Sequence, residues 1–186
     1  QIQMDAPLKG IIHAAGFAVK APLWEHTEQD VDRIFSAKVK GAWYLHDLSK
    51  NLNLDFFIVY SSIASAFGSN KESVYSGANS FLDGLITVRH KLNLVGTAVQ
   101  WGPWGEVGMS QSRSKDSNLK NALISNAQGH AFIKRLLRAN LPQIIFIAPE
   151  YLKFMLDFVP SPMPGMQRDL SKILSEPQSL PQQDLT

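Results

Sequence analysis

Along the chain, short continuous apolar runs alternate with longer stretches in which apolar residues recur every three or four positions. Leu8 to His13 (LKGIIH), Asp55 to Tyr60 (DFFIVY), Val95 to Trp101 (VGTAVQW) and Gln143 to Ala148 (QIIFIA) are of the first kind. Their length, their β-branched and aromatic content and the small or turn-forming residues near their ends predict strands buried on both faces. Between Trp24 and Leu52, the residues Val31, Ile34, Phe35, Val39, Trp43, Leu45 and Leu48 fall mostly at helical intervals, and Thr27, Glu28 and Asp30 supply an amino-terminal cap. One long amphipathic helix is predicted there. Further helices are predicted from about Glu72 to about Leu92 and from Ala131 to Ala139. Apolar strands alternating with helices define an α/β protein with a parallel sheet covered on both faces.

Two segments break this rhythm. Gly105 to Gly129 is polar and serine-rich, with Lys115, Asp116 and Lys120; it reads equally as a surface loop with a short helix or as a lid over a substrate. After Phe158 no aromatic residue occurs, and Pro160, Pro162, Pro164, Pro177 and Pro181 are half of all prolines. Residues 160–186 therefore read as a linker behind a domain of residues 1–159. Arg168 to Leu174 suffices for one or two helical turns, too few to be stable alone.

Composition excludes more than it assigns. An apolar fraction of 45% with 18% charged residues is that of a globular protein, and no apolar run approaches the ~20 residues of a membrane span. The formal charge of +2 is small and the basic residues are scattered, so no face suits nucleic acid. The absence of cysteine excludes disulfides and thiolate metal sites, and no metal site is predicted. With no leader pattern, a cytoplasmic location is expected. The start at Gln1, with a strand almost immediately after it, suggests a piece of a longer chain.

In a doubly wound sheet, ligands bind beyond the carboxyl ends of the strands, so candidate chemistry is sought there. The first strand ends in His13-Ala14-Ala15-Gly16, where small side chains permit close approach of a flat ligand; a tight structural turn is the ordinary reading. The second ends in Ser61-Ser62, and thirteen residues after Ser62 comes Tyr75-Ser76-Gly77-Ala78-Asn79 at the start of a helix. Tyr75 and Asn79, four apart, share a helical face. With that face toward the strand end, the Tyr75 and Ser62 hydroxyls become two donors aimed at one carbonyl oxygen. A phenol of pKa ~10 needs a neighbouring cation to act as an acid at neutral pH, and Lys38 is the candidate. Singly, each residue has a structural explanation: Lys38 a solvated helix residue, Ser62 a turn former, Tyr75 packing, Asn79 a surface amide.

Together, HAAG, AKVKG, YSSIASAFGS, YSGANSFLDGL and WGPW, in this order, resemble the ketoreductase domains of modular polyketide synthases and animal-type fatty acid synthases, within the short-chain dehydrogenase/reductase superfamily. The resemblance covers about residues 8 to 150. Ordinary superfamily members have Lys four residues after the Tyr and Asn on the preceding helix; here Asn79 follows Tyr75 and Lys38 lies earlier, the exchanged arrangement typical of synthase ketoreductases.

The resemblance implies a Rossmann-like doubly wound sheet lacking its first three strands, and NADPH-dependent reduction of a β-ketoacyl group carried by an acyl carrier protein. In that scheme Tyr75 donates the proton, Ser62 holds the keto oxygen, Lys38 lowers the phenol pKa and Asn79 helps complete a proton relay. His13, Ala14, Ala15, Gly16, Ser61, Gly102, Pro103 and Trp104 would contact the cofactor. Phe67, Val107 and Met109 would line the substrate entry. The family's Leu-Asp-Asp fingerprint is replaced by Ala18-Val19-Lys20, and Phe67 stands where the opposite stereochemical class carries Trp, so neither position assigns a product configuration. No G-x-G-x-x-G run occurs, so the cofactor pyrophosphate has no glycine loop within this chain; the missing amino-terminal half of the ketoreductase is the expected partner, and the fragment alone is expected to be inactive. A redox-silent remnant that packs within a synthase is the competing expectation. A free-standing short-chain dehydrogenase is disfavoured by the absent Tyr-x-x-x-Lys spacing.

Overall fold

A computed structural model of the chain describes residues 7–110, 119, 122–137 and 141–158. The predicted linker, 160–186, and most of the serine-rich stretch between 111 and 121 lie outside the described residues. Four parallel strands form one sheet in sequential order: β1 (Gly10–His13), β2 (Phe56–Ser62), β3 (Thr97–Trp101) and β4 (Gln143–Phe146). The connecting helices are α1 (Glu28–Phe35) and α2 (Gly41–Ser49), α3 (Ile63–Phe67) and α4 (Ser73–Lys91), and α5 (Asn126–Leu136), with α6 (Pro149–Phe158) following β4.

Alternation along the strands sorts side chains to two faces. Phe57 and Val59 of β2, with Ala98 of β3, pack against Ala42 and Leu45 of α2 and Leu82, Leu85 and Ile86 of α4. On the opposite face Ile58, Val99 and Trp101 meet Phe132, Ile133 and Leu136 of α5. Trp101 is the hub of that side, its ring centroid 4.9 Å from Trp104 and 5.5 Å from Phe146. A further cluster joins Ile63 and Phe67 of α3 to Leu119, Leu123, Ala148 and Tyr151, beyond the carboxyl ends of the strands.

The α/β assignment and the parallel sheet agree with the sequence pattern, and three details differ. The strands predicted to be buried throughout are so only in the middle: β3 is buried at every residue, whereas β4 alternates exposed and half-buried positions and Ile12 of β1 is exposed. Among the described residues β1 and β4 each pair on one side only, which exposes them.

The predicted long helix begins four residues later than Trp24, after a 3₁₀ turn at Leu23–Glu25. Its start is set by Thr27, whose hydroxyl accepts from the Asp30 N–H while the Asp30 carboxylate accepts from the Thr27 N–H, a reciprocal cap worth about 1 kcal/mol. Its middle is a π-turn, Ser36–Lys40. The helix predicted from Ala131 starts at Asn126 because Ser125 and Gln128 form the same reciprocal cap.

Candidate active site

The strands are parallel, so their carboxyl ends lie on one edge of the sheet, and Ala14–Gly16, Ser61–Ser62 and Gly102–Trp104 all fall there. Ala14, Ala15 and Gly16 are exposed. A methyl group built on Gly16 would lie 3.1 Å from Lys38 Cε, 3.4 Å from Lys38 Nζ and 3.6 Å from Met109 Cε. The turn, the lysine and the segment after β3 thus converge at one place, where a Cβ at position 16 would press on the end of the Lys38 side chain.

Lys38 sits in the π-turn between α1 and α2, only 2% exposed. A helix widened by one residue rotates the following side chains, and such turns gather at functional sites. Lys38 Nζ donates to the backbone carbonyl of Tyr60 at 2.9 Å and lies 5.4 Å from the centroid of the Tyr75 ring. Burial drives its pKa down to about 8, against the opposing pull of the Asp83 carboxylate. Lys38 is therefore not the solvated helix lysine that its position alone suggests, but a buried one near the Tyr75 ring.

Tyr75, half-buried, is on the first turn of α4, and Asn79 Nδ2 donates to the Tyr75 carbonyl at 2.7 Å. Asn79 is fully buried and its Oδ1 has no protein partner. Ser61 Oγ donates to the Asn79 carbonyl at 3.3 Å, tying the end of β2 to this helix. Ser62 Oγ accepts the Ala64 N–H at 3.2 Å as the cap of α3. That bond occupies a lone pair and leaves the hydroxyl proton to be donated.

Other expected site residues are placed unevenly. His13 is buried, and its ring lies against Gly41 rather than among the exposed residues of its own turn. Trp104 is half-buried in the aromatic cluster, and Gly102 and Pro103 before it are buried. Phe67 packs into the α3–α6 cluster, and Val107 and Met109 are exposed.

Asp83 is a further residue of this region that the sequence motifs do not mark. It lies one turn beyond Asn79 and two beyond Tyr75, is buried, and its Oδ2 accepts from Gln100 Nε2 at 2.8 Å; Gln100 also reaches Ser65 Oγ at 3.3 Å. The readable signal is a carboxylate four residues after Asn79, on the helix face that also carries Ala78, Leu82 and Ile86.

Among the described residues no group of three His, Cys, Asp or Glu side chains could hold a metal ion, and no helix is long and apolar enough to cross a membrane.

Residues 1–106 match the model of the KR domain, and the chain belongs to that ketoreductase family. It is 33% identical over 150 residues to polyketide synthase GfsE of Streptomyces halstedii, covering 77% of this chain and 4% of the relative. Over 102 residues it is 43% identical to the phenolphthiocerol synthesis polyketide synthase type I Pks15/1 of Mycobacterium marinum, covering 55% and 5%. An A1-type ketoreductase structure superposes with a TM-score of 0.77 at 29% identity, over 92% of this chain and 37% of that one. The chain therefore spans a small fraction of its synthase relatives and about a third of the solved ketoreductase. Its four-stranded sheet is part of a Rossmann-like fold.

Proposed function

We propose that this segment carries the proton-donating half of a ketoreductase in a polyketide synthase, reducing a β-ketoacyl thioester on an acyl carrier protein to the β-hydroxyacyl form. The observation that carries the reading is the buried Lys38 ammonium 5.4 Å from the Tyr75 ring centroid. A cation there favours the tyrosinate over the phenol, which is what a phenolic acid needs to release its proton near neutral pH.

The exposed turn of small residues Ala14, Ala15 and Gly16 at the strand edge, beside Lys38 and Met109, suits the close approach of NADPH. Ala14, Ala15, Gly16, Ser61 and the backbone of Gly102, Pro103 and Trp104 would hold its nicotinamide end, and NADPH, when bound, supplies the hydride. A glycine loop for the pyrophosphate does not occur in the sequence, and we assign that task to the amino-terminal half of the ketoreductase.

The chain's own residues do the rest. Ser62 donates its O–H to the keto oxygen and holds it while negative charge develops there. Tyr75 transfers its phenolic proton to that oxygen. Lys38 stabilises the tyrosinate left behind, and Asn79, with Oδ1 open, accepts a hydrogen bond in the relay that restores the proton. Phe67, Val107 and Met109 border the approach of the acyl chain.

One observation favours a second reading, a packing element that reduces nothing: among the described residues β1 pairs only with β2, so its other edge is open to a neighbour. The two readings separate in one assay. The ketoreductase containing this segment is given NADPH and a β-ketoacyl thioester, and NADPH consumption is followed in wild type and in Tyr75→Phe. Consumption lost in the variant supports the reductase; no consumption by the folded wild type supports the packing role.

A further inference from the structure

His13, the last residue of β1, pairs in register with Val59, which turns its side chain to the sheet face covered by α2 and α4. It is 7% exposed. There the imidazole meets the junction of the π-turn and α2, where a methyl group built on Gly41 would lie 3.1 Å from its Cε1 and 3.6 Å from its Nε2. The ring sits beside the backbone at Lys38 and Ala37, and its Nε2 is buried with no hydrogen-bond partner in the protein. Gly41 completes the turn by donating its N–H toward the Lys38 and Ser36 carbonyls.

We propose that His13 is a positioning residue: seated against the π-turn opposite Gly41, it sets the backbone that aims Lys38 at the Tyr60 carbonyl and toward the Tyr75 ring. This rests on the reading of Lys38 as the cation that serves Tyr75. It departs from the cofactor contact that the family resemblance suggested for His13, because the ring is buried on the helix side while the exposed residues are Ala14 to Gly16. Burial also lowers the imidazole pKa, and the Lys38 charge acts the same way. A neutral ring places no second positive charge beside the ammonium.

The test uses the ketoreductase containing this segment, with His13→Leu, His13→Gln and Gly41→Ala. His13→Leu is expected to lower kcat about a hundredfold, the scale of an angstrom-sized misplacement, with KM for NADPH unchanged. His13→Gln, which keeps a flat polar group of similar reach against the turn, is expected to recover most of the rate. Amine-directed acetylation read by mass spectrometry should leave Lys38 protected in wild type and label it in His13→Leu. A raised KM for NADPH with unchanged kcat, or Lys38 equally protected in His13→Leu, would overturn the proposal. Should His13→Leu fail to fold, Gly41→Ala carries the test: its methyl pushes on the ring, and an unaltered kcat would overturn the proposal too. A folded wild type that consumes no NADPH would overturn the reductase reading itself, and the acetylation result would still decide whether His13 holds Lys38.

Discussion

Lys38 reaches out of the π-turn to donate to the carbonyl of Tyr60 at 2.9 Å, two residues before the end of β2. A long flexible amine is thereby held by a backbone acceptor in a buried place, 5.4 Å from the centroid of the Tyr75 ring.

That burial has a stability consequence with a definite sign. The folded pKa of Lys38 is about 8, below the ordinary lysine value, so between these values the unfolded chain binds more protons and stability rises with pH. Below pH 8 the full penalty of burying the charge is present. Lys38→Met is expected to stabilise the domain at pH 7 by on the order of 2 kcal/mol, with the advantage shrinking as pH rises toward the ordinary lysine pKa, while abolishing reduction. Urea unfolding at a series of pH values checks the first part, and an NADPH assay the second.

Asp83 tunes the same amine. Its charge raises the Lys38 pKa, against desolvation. Asp83→Asn should therefore move the loss of activity on the alkaline side to lower pH. The groups facing the amine are the Asp83 carboxylate, the Tyr75 ring and the Tyr60 carbonyl, with His13 coupled to it from β1. A pH–rate profile that does not move would show that the limb reports another group.

Gln100 is expected to matter more for stability than for rate. It supplies the hydrogen bond to Asp83 Oδ2 at 2.8 Å, and Oδ1 has no protein partner. Gln100→Leu strands a buried carboxylate and should cost about 2 kcal/mol. Pairing it with Asp83→Leu should restore much of the loss, because both polar partners are then gone; thermal unfolding of single and double variants measures this.

Tyr75→Phe removes one hydroxyl from a half-buried ring, so its melting temperature should stay close to wild type. Its rate of thioester reduction should fall by about 10²- to 10⁴-fold, the usual contribution of a positioned acid. Near-normal turnover would remove Tyr75 from the mechanism.

Gly129→Ala tests the aromatic cluster beneath β3. A methyl group there would overlap the Trp104 ring, and overpacking of this kind costs about 1–3 kcal/mol. A lowered melting temperature is expected, with a change in tryptophan fluorescence as the ring is displaced.

Local pattern by itself determined the α/β class, the four strands and the long helix from Ser73 to Lys91, because continuous apolar runs and helical intervals depend on short-range burial that any fold of this type must satisfy. Ordered motifs determined the family and brought Tyr75, Lys38, Ser62 and Asn79 forward. Tertiary structure alone decided the rest. The π-turn in SAKVK has no sequence mark, since these residues suit a regular helix as well; packing of His13 against Gly41 and capture of Lys38 by Tyr60 exist only once β1 and β2 lie side by side. Whether Lys38 is solvated or buried, whether His13 faces the turn or the helix, and whether Asp83 belongs to the site are questions of which faces meet. Periodicity names a face and leaves its partner to the fold.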